Sequence, residues 1–141
     1  MSISKTLQIS ASSLAAERLR MQTIASNMAN ARTTRTEEGG PYKRRMPVFE
    51  ATQLDPFGTA LEQQLHGVTV EEIRTSDDPP MRVYEPGHPD AGPDGYVEYP
   101  DIDVLEEMVD LMATARTFEA NTKVVDATKQ MAFDALAIGR G

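Results

Sequence analysis

The chain of 141 residues contains no cysteine and no tryptophan. Without cysteine it forms no disulfides and no thiolate metal sites, a composition that suits an oxidising compartment as well as a reducing one. No apolar run approaches the roughly 20 residues of a membrane span. The N-terminus lacks a charged stretch followed by an apolar core, so no cleaved signal peptide is expected. A chain of this kind that leaves the cytoplasm uses another route. Histidine is scarce: His66 and His88 stand 22 residues apart in loop-like surroundings. They read as surface or turn residues, not as a metal pair.

Catalytic patterns are also missing. No serine sits in a nucleophile-elbow context. Gly39–Gly40 lacks both the spacing and the following Lys-Ser/Thr of a phosphate loop. "DAGPDG", from Asp90, imitates a calcium loop at Asp90, Asp94 and Gly95, but Gly92 removes a ligand and the flanks read as strand. A turn is the expected outcome. Lys43, Arg44 and Arg45 have only Tyr42 as an aromatic neighbour, which argues against a nucleic-acid surface. No acid, base, nucleophile and metal constellation emerges, so neither an enzyme nor a cofactor is expected.

What is present is a charge split and two long helical patterns. Residues 1–47 hold eight Lys/Arg against three Asp/Glu, a net of +5, whereas residues 48–141 net −13. Such a split favours self-association, with the basic part of one copy near the acidic part of the next. Leu7, Leu14, Met21 and Met28 recur every seven residues, a coiled-coil seam that predicts a helix over 3–31. Val104, Met108, Leu111, Ala115, Phe118, Val125, Ala132 and Leu136 predict a second helix over 102–138. A further stripe runs through Val124, Met131, Ala135 and Ile138, and Gly139 supplies the stop. A helix of this length is a rod of about 55 Å, too long for the interior of a compact domain of this size. Two stripes on one rod imply partners on more than one side. Of the eight methionines, Met21, Met28, Met108 and Met131 lie on these stripes and read as packing residues.

The middle, residues 32–100, holds all nine prolines. Strands are predicted at Met46–Glu50, Val68–Ile73, Met81–Glu85 and Gly95–Tyr99, the last two as a hairpin. Residues 55–66 read either as a short helix or as an insertion. The predicted fold is therefore mainly α with a small β insert. Its N- and C-terminal helices pair as a coiled-coil-like hairpin around a β-rich middle segment. The three expected units are a helix at 1–31, a linker and β-rich outer segment at 32–100, and a helix at 101–141.

"LQISASSLAAERLRMQTIASNMANARTTRTEEGGPYKRR" resembles the N-terminal signature of the flagellar axial protein family, with "SNMANART" as its shared core. "TRTEEGGPYKRR", "GVTVEEI" and the block from "VYEPGHPDAGPDGYVEYP" to "TFEAN" narrow the resemblance to proximal-rod members, over nearly the whole chain. Residues 52–66 match no pattern of the family. "PDIDVLEEM" stands where an Asn-rich start is usual, leaving Asp103 as the cap of the second helix.

The resemblance implies a structural subunit that polymerises helically into the periplasm-spanning drive rod of the flagellar basal body and encloses its export channel. It implies export through the type III apparatus without a cleaved signal. The implied partners are further copies of the chain, other proximal and distal rod proteins and a FliE-type adaptor at the base, with no nucleic acid and no small-molecule substrate. Expected subunit contacts are Leu7, Leu14, Met21, Ile24, Asn27, Met28 and Asn30 on the first helix, and Lys43, Arg44 and Arg45 in the basic cluster. On the second helix they are Val104, Met108, Leu111, Phe118, Asn121, Val125, Met131 and Leu136. The basic cluster is expected to meet acidic side chains of a neighbour near Glu106 and Glu107. Asn27 and Asn30 are expected to bond across the seam or to carbonyls at the helix end. A soluble coiled-coil adaptor or secretion chaperone is the competing reading.

Overall fold

A computed structural model describes residues 3–54 and 64–139 of the chain. The elements follow the order α1 (Ile3–Asn30), β1 (Arg45–Gln53), β2 (His66–Thr75), β3 (Met81–Tyr84), β4 (Tyr96–Tyr99) and α2 (Val104–Ile138). The two helices pack on each other, and α1 also packs on β1 and β2. The fold is the predicted one, a terminal helix pair around a small β-rich middle. The expectation for residues 55–63 lies outside the described residues.

The long helix α1 has no Gly or Pro and is rich in Ala, Ser and Leu. It stops at Asn30, whose side chain donates to the Ser26 carbonyl at 2.9 Å and accepts the Thr33 hydroxyl at 3.1 Å. A polar side chain thus satisfies a helix-end carbonyl, as such residues do best at helix boundaries. The chain then runs extended to a turn in which Gly39 and Gly40 take φ of 89° and 75°, a region that costs glycine nothing.

α2 begins at Val104, two residues later than the apolar pattern suggested. Asp103 is its cap, accepting from the Leu105 N–H at 2.8 Å and the Glu106 N–H at 3.4 Å. Aspartate does here what the Asn-rich start would do. At the other end Gly139 stays right-handed, with φ −73°, and its N–H returns to Ala135 and Ala137. The expected stop is present without a left-handed turn.

β1 and β2 pair antiparallel from Arg45↔Thr75 to Gln53↔His66, with a bulge at Val48/Phe49. This sheet is docked on α1 by Ser12, whose hydroxyl donates to Ile9 O at 2.8 Å and accepts the Val68 N–H at 3.1 Å. The approach is close because Gly67 faces the serine. A Cβ there would lie 3.0 Å from Ser12 Oγ and 3.3 Å from Leu54 Cδ2.

β3 and β4 form the predicted hairpin. Its loop is tied back to the segment after α1, because Asp90 accepts the Thr34 hydroxyl at 2.7 Å and lies 4.0 Å from the Arg35 guanidinium. Asp94 pairs instead with Arg82 and accepts the Tyr96 N–H. The Tyr96 N–H, with Arg82 beside it, holds the Asp94 carboxyl below its ordinary range. The two carboxylates of the calcium-like spacing therefore serve different partners within the chain.

Gly67→Ala should lower stability to denaturant by about 1–3 kcal/mol, the usual cost of overpacking. Gly87→Ala, where an added Cβ meets nothing within 4 Å, should stay within about 0.5 kcal/mol of the parent. Equal losses at the two positions would contradict the docking described for Ser12.

Candidate functional site

The last turn of α1, the start of β1 and the first turn of α2 meet at one buried polar cluster. At its centre Asn27 is 2% exposed. Its Oδ1 accepts the Arg45 backbone N–H at 2.9 Å and the Tyr42 hydroxyl at 3.0 Å. Its Nδ2 donates to the Arg45 carbonyl at 2.9 Å and to Glu107 Oε2 at 3.2 Å. Both donors and both acceptor positions of the carboxamide are used. Asn27 thereby pairs with Arg45 as a neighbouring strand would, at the point where the chain enters β1.

Glu107 is 1% exposed, and its second oxygen accepts Arg44 Nε at 2.6 Å. Burial works against the Arg44 charge, but the Glu107 hydrogen bond and the surrounding carboxylates prevail, and the guanidinium pKa is raised. The arginine is thus charged throughout the physiological range. Tyr42 completes the cluster: its ring lies under the Arg45 guanidinium, and its hydroxyl is 3.3 Å from Ser26 Oγ.

The basic cluster is expected from the sequence to meet acidic side chains of a neighbour near Glu106 and Glu107. Within the single chain Arg44 meets Glu107 of the same chain. Lys43 and Arg45 remain exposed. Asn27 and Ile24, expected at subunit contacts, are buried within the single chain. Asn27 does reach across the seam, as expected, to Glu107.

Away from the cluster the helix pair is built inside out. On α2 the buried or half-buried positions Glu107, Leu111, Thr114, Phe118, Asn121, Val125, Thr128 and Ala132 alternate by four and three, with half-buried Asp110 beside them. Leu111, Phe118, Val125 and Ala132 belong to the predicted stripe, but the remaining positions are polar. Thr114 and Thr128 tolerate burial because their hydroxyls donate to the Asp110 and Val124 carbonyls one turn back, at 2.7 and 2.8 Å. Short, self-satisfied side chains let the helices approach closely. α1 repeats the device with Thr23, whose hydroxyl donates to the Leu19 carbonyl at 2.9 Å, and buries Ser10 as well, while Leu7, Leu14, Met21 and Met28 are half-buried.

The large apolar residues of α2 face outward. Leu105 is 70% exposed, Met112 58%, Met131 66% and Leu136 66%, and Val104 and Met108 are exposed as well. Four members of the predicted stripe, Val104, Met108, Ala115 and Leu136, therefore lie off the seam. Two exposed runs result: Leu105, Met108, Val109 and Met112 at its start, and Met131, Phe133, Leu136 and Ile138 at its end. Leu105, Met108, Val109 and Met112 share one helix face, and apolar surface clustered in this way marks an interaction face.

Glu107, Thr114, Thr128, Tyr42 and Ser12 were missed by the sequence reading. Glu107 looked like a dipole-matching acid in the first turn of a helix. The signal that finds it is the four-three spacing it shares with Leu111, Thr114 and Phe118.

The model of the family described as "Flagellar basal body rod FlgEFG protein C-terminal" matches residues 94–138. The chain is 40% identical to the flagellar basal-body rod protein FlgC of Bacillus subtilis (strain 168), over 96% of this chain and 97% of that protein. It is 36% identical to FlgC of Borreliella burgdorferi over the full length of both. Identity to FlgC of Salmonella typhimurium is 37%, over 99% of this chain and all of that protein.

Arg44→Met should destabilise the isolated chain by about 3–5 kcal/mol, because it strands the Glu107 charge in the interior. The double variant Arg44→Met/Glu107→Met should lose much less than the sum of the two single losses. Additive losses in urea unfolding would show that the two side chains are not coupled.

Proposed function

The chain belongs to the FlgC family of flagellar basal-body rod proteins, and from that premise we propose that it is a structural subunit of the proximal rod. It has no catalytic role in this reading. Copies polymerise helically, with the helix pair (1–31 and 101–141) forming the inner tube and residues 32–100 facing outward. The tube encloses the export channel and transmits torque across the periplasm. Its neighbours are further copies, other proximal and distal rod proteins and a FliE-type adaptor at the base. The subunit reaches them through the type III export apparatus, without a cleaved signal.

The observation that carries this reading is the inverted helix pair. A soluble adaptor or chaperone with two long helices would bury its apolar stripe in its own seam. Here the seam holds Glu107, Thr114 and Thr128, while Leu105, Met112, Met131 and Leu136 lie outside. Water-exposed apolar area of this kind is stabilised when neighbours cover it, by about 25 cal/mol per Å² removed from water. The Asn27 cluster fixes the angle at which the outer segment leaves the helix pair, so each copy presents the same faces.

Leu105→Asp and Leu136→Asp should leave the fold and secretion of the subunit intact. Each should remove it from isolated basal bodies and abolish swimming, because a charge buried at a contact costs several kcal/mol unless paired. Normal incorporation of both variants would show that these faces are not covered, and would favour a free adaptor.

A further inference from the structure

We propose that the Glu17 carboxylate is a socket for a lysine or arginine side chain of a second copy of this chain. The inference rests on the assembly reading above and goes beyond it by naming one contact. Glu17 Oε2 is shielded from solvent and has no hydrogen-bond partner among the described residues. It lies in a crevice where α1, α2 and the β1–β2 sheet meet, lined by Ser13, Arg20, Phe49, Val68, Thr117 and Asn121. The Thr117 hydroxyl is turned away to the Ala113 carbonyl at 3.2 Å. An ionised oxygen withdrawn from water without a partner is costly. Elsewhere the fold satisfies such groups: both oxygens of the more deeply buried Glu107 are bonded. The Glu17 position is therefore incomplete in the single chain.

The chemistry of the crevice selects the occupant. Glu17 is the only acid among its lining residues. A divalent cation needs several oxygen ligands, whereas one carboxylate matches one ammonium or guanidinium group. The chain itself offers such groups: Arg18, Arg32, Arg35 and Lys43 are exposed in its basic first third. Arg20 of the same chain lines the crevice without bonding to Glu17 Oε2, so a second copy can supply the bonding cation, and because Glu17 sits between the two helices and the sheet, the contact would read the seating of all three.

The test compares variants in isolated basal bodies, with the purified subunits melted in parallel. Glu17→Gln keeps the shape and removes the charge. It should melt at or above the parent temperature, since no in-chain pair is lost, and its incorporation should fall about tenfold, the scale of one hydrogen bond to a charged group. Glu17→Lys should block incorporation, and reversal to Glu at one of Arg18, Arg32, Arg35 or Lys43 should restore it. A lowered melting temperature for Glu17→Gln would mean an in-chain partner and would overturn the proposal. So would parental incorporation of that variant, or the failure of all four reversals. Absence of the parent chain from the basal body would instead overturn the rod reading itself.

Discussion

One carboxamide joins three parts of the molecule that lie far apart in sequence. Asn27 holds the backbone of Arg45, the hydroxyl of Tyr42 and the carboxylate of Glu107 at the same time. An apolar side chain in its place would take away the bonds to the Arg45 N–H and C=O and leave Glu107 Oε2 without its Asn27 donor. Glu107 depends on the same point. Its charge is tolerable in the interior because Arg44 and Asn27 share it between its two oxygens. The chain reversal, the entry to β1 and the start of α2 are therefore set by one connected network.

Fixing that corner with polar groups leaves the apolar residues free to serve elsewhere. A hairpin that spends its Leu and Met in its own seam has nothing left for neighbours. This chain lines its seam in part with Thr23, Thr114 and Thr128, whose hydroxyls bond to their own helix, beside Ile24, Leu111, Phe118 and Val125, and leaves Leu105, Met112, Met131 and Leu136 outside. The single copy is held in shape by directional bonds, and the outer faces carry the non-directional hydrophobic term. Such a division of labour suits a subunit that must hold one shape and still pack against several neighbours.

Much of this was legible in the sequence. Both helices, all four strands, the β3–β4 hairpin and the Asp103 cap follow from period, turn residues and capping chemistry. Asn30 also acts as its sequence position suggests, satisfying a carbonyl at the helix end. What the apolar period does not show is how a stripe divides between the chain's own seam and its outer face. Val104, Met108 and Leu136, expected at subunit contacts, are exposed in the single chain, whereas Glu107, expected as a first-turn acid, is buried. Periodicity shows which residues share a face but not what covers that face, and in an assembling subunit the most apolar face need not be covered by the same chain. The charge split is ambiguous for a related reason. Arg44 and Glu107 are of opposite sign and 63 positions apart, and net charge alone does not distinguish a pair within a chain from one between copies.

The central claim is that the Asn27 cluster closes within each subunit while the outer faces of α2 close between subunits. A cryo-electron microscopy map of the isolated basal body at side-chain resolution tests it directly. The account predicts that Asn27 bonds to Arg45 and Glu107 of its own chain, with Leu105, Met112 and Leu136 packed against neighbouring subunits. A map in which Glu107 pairs with an arginine of another copy, or in which those three apolar residues face solvent, would contradict it.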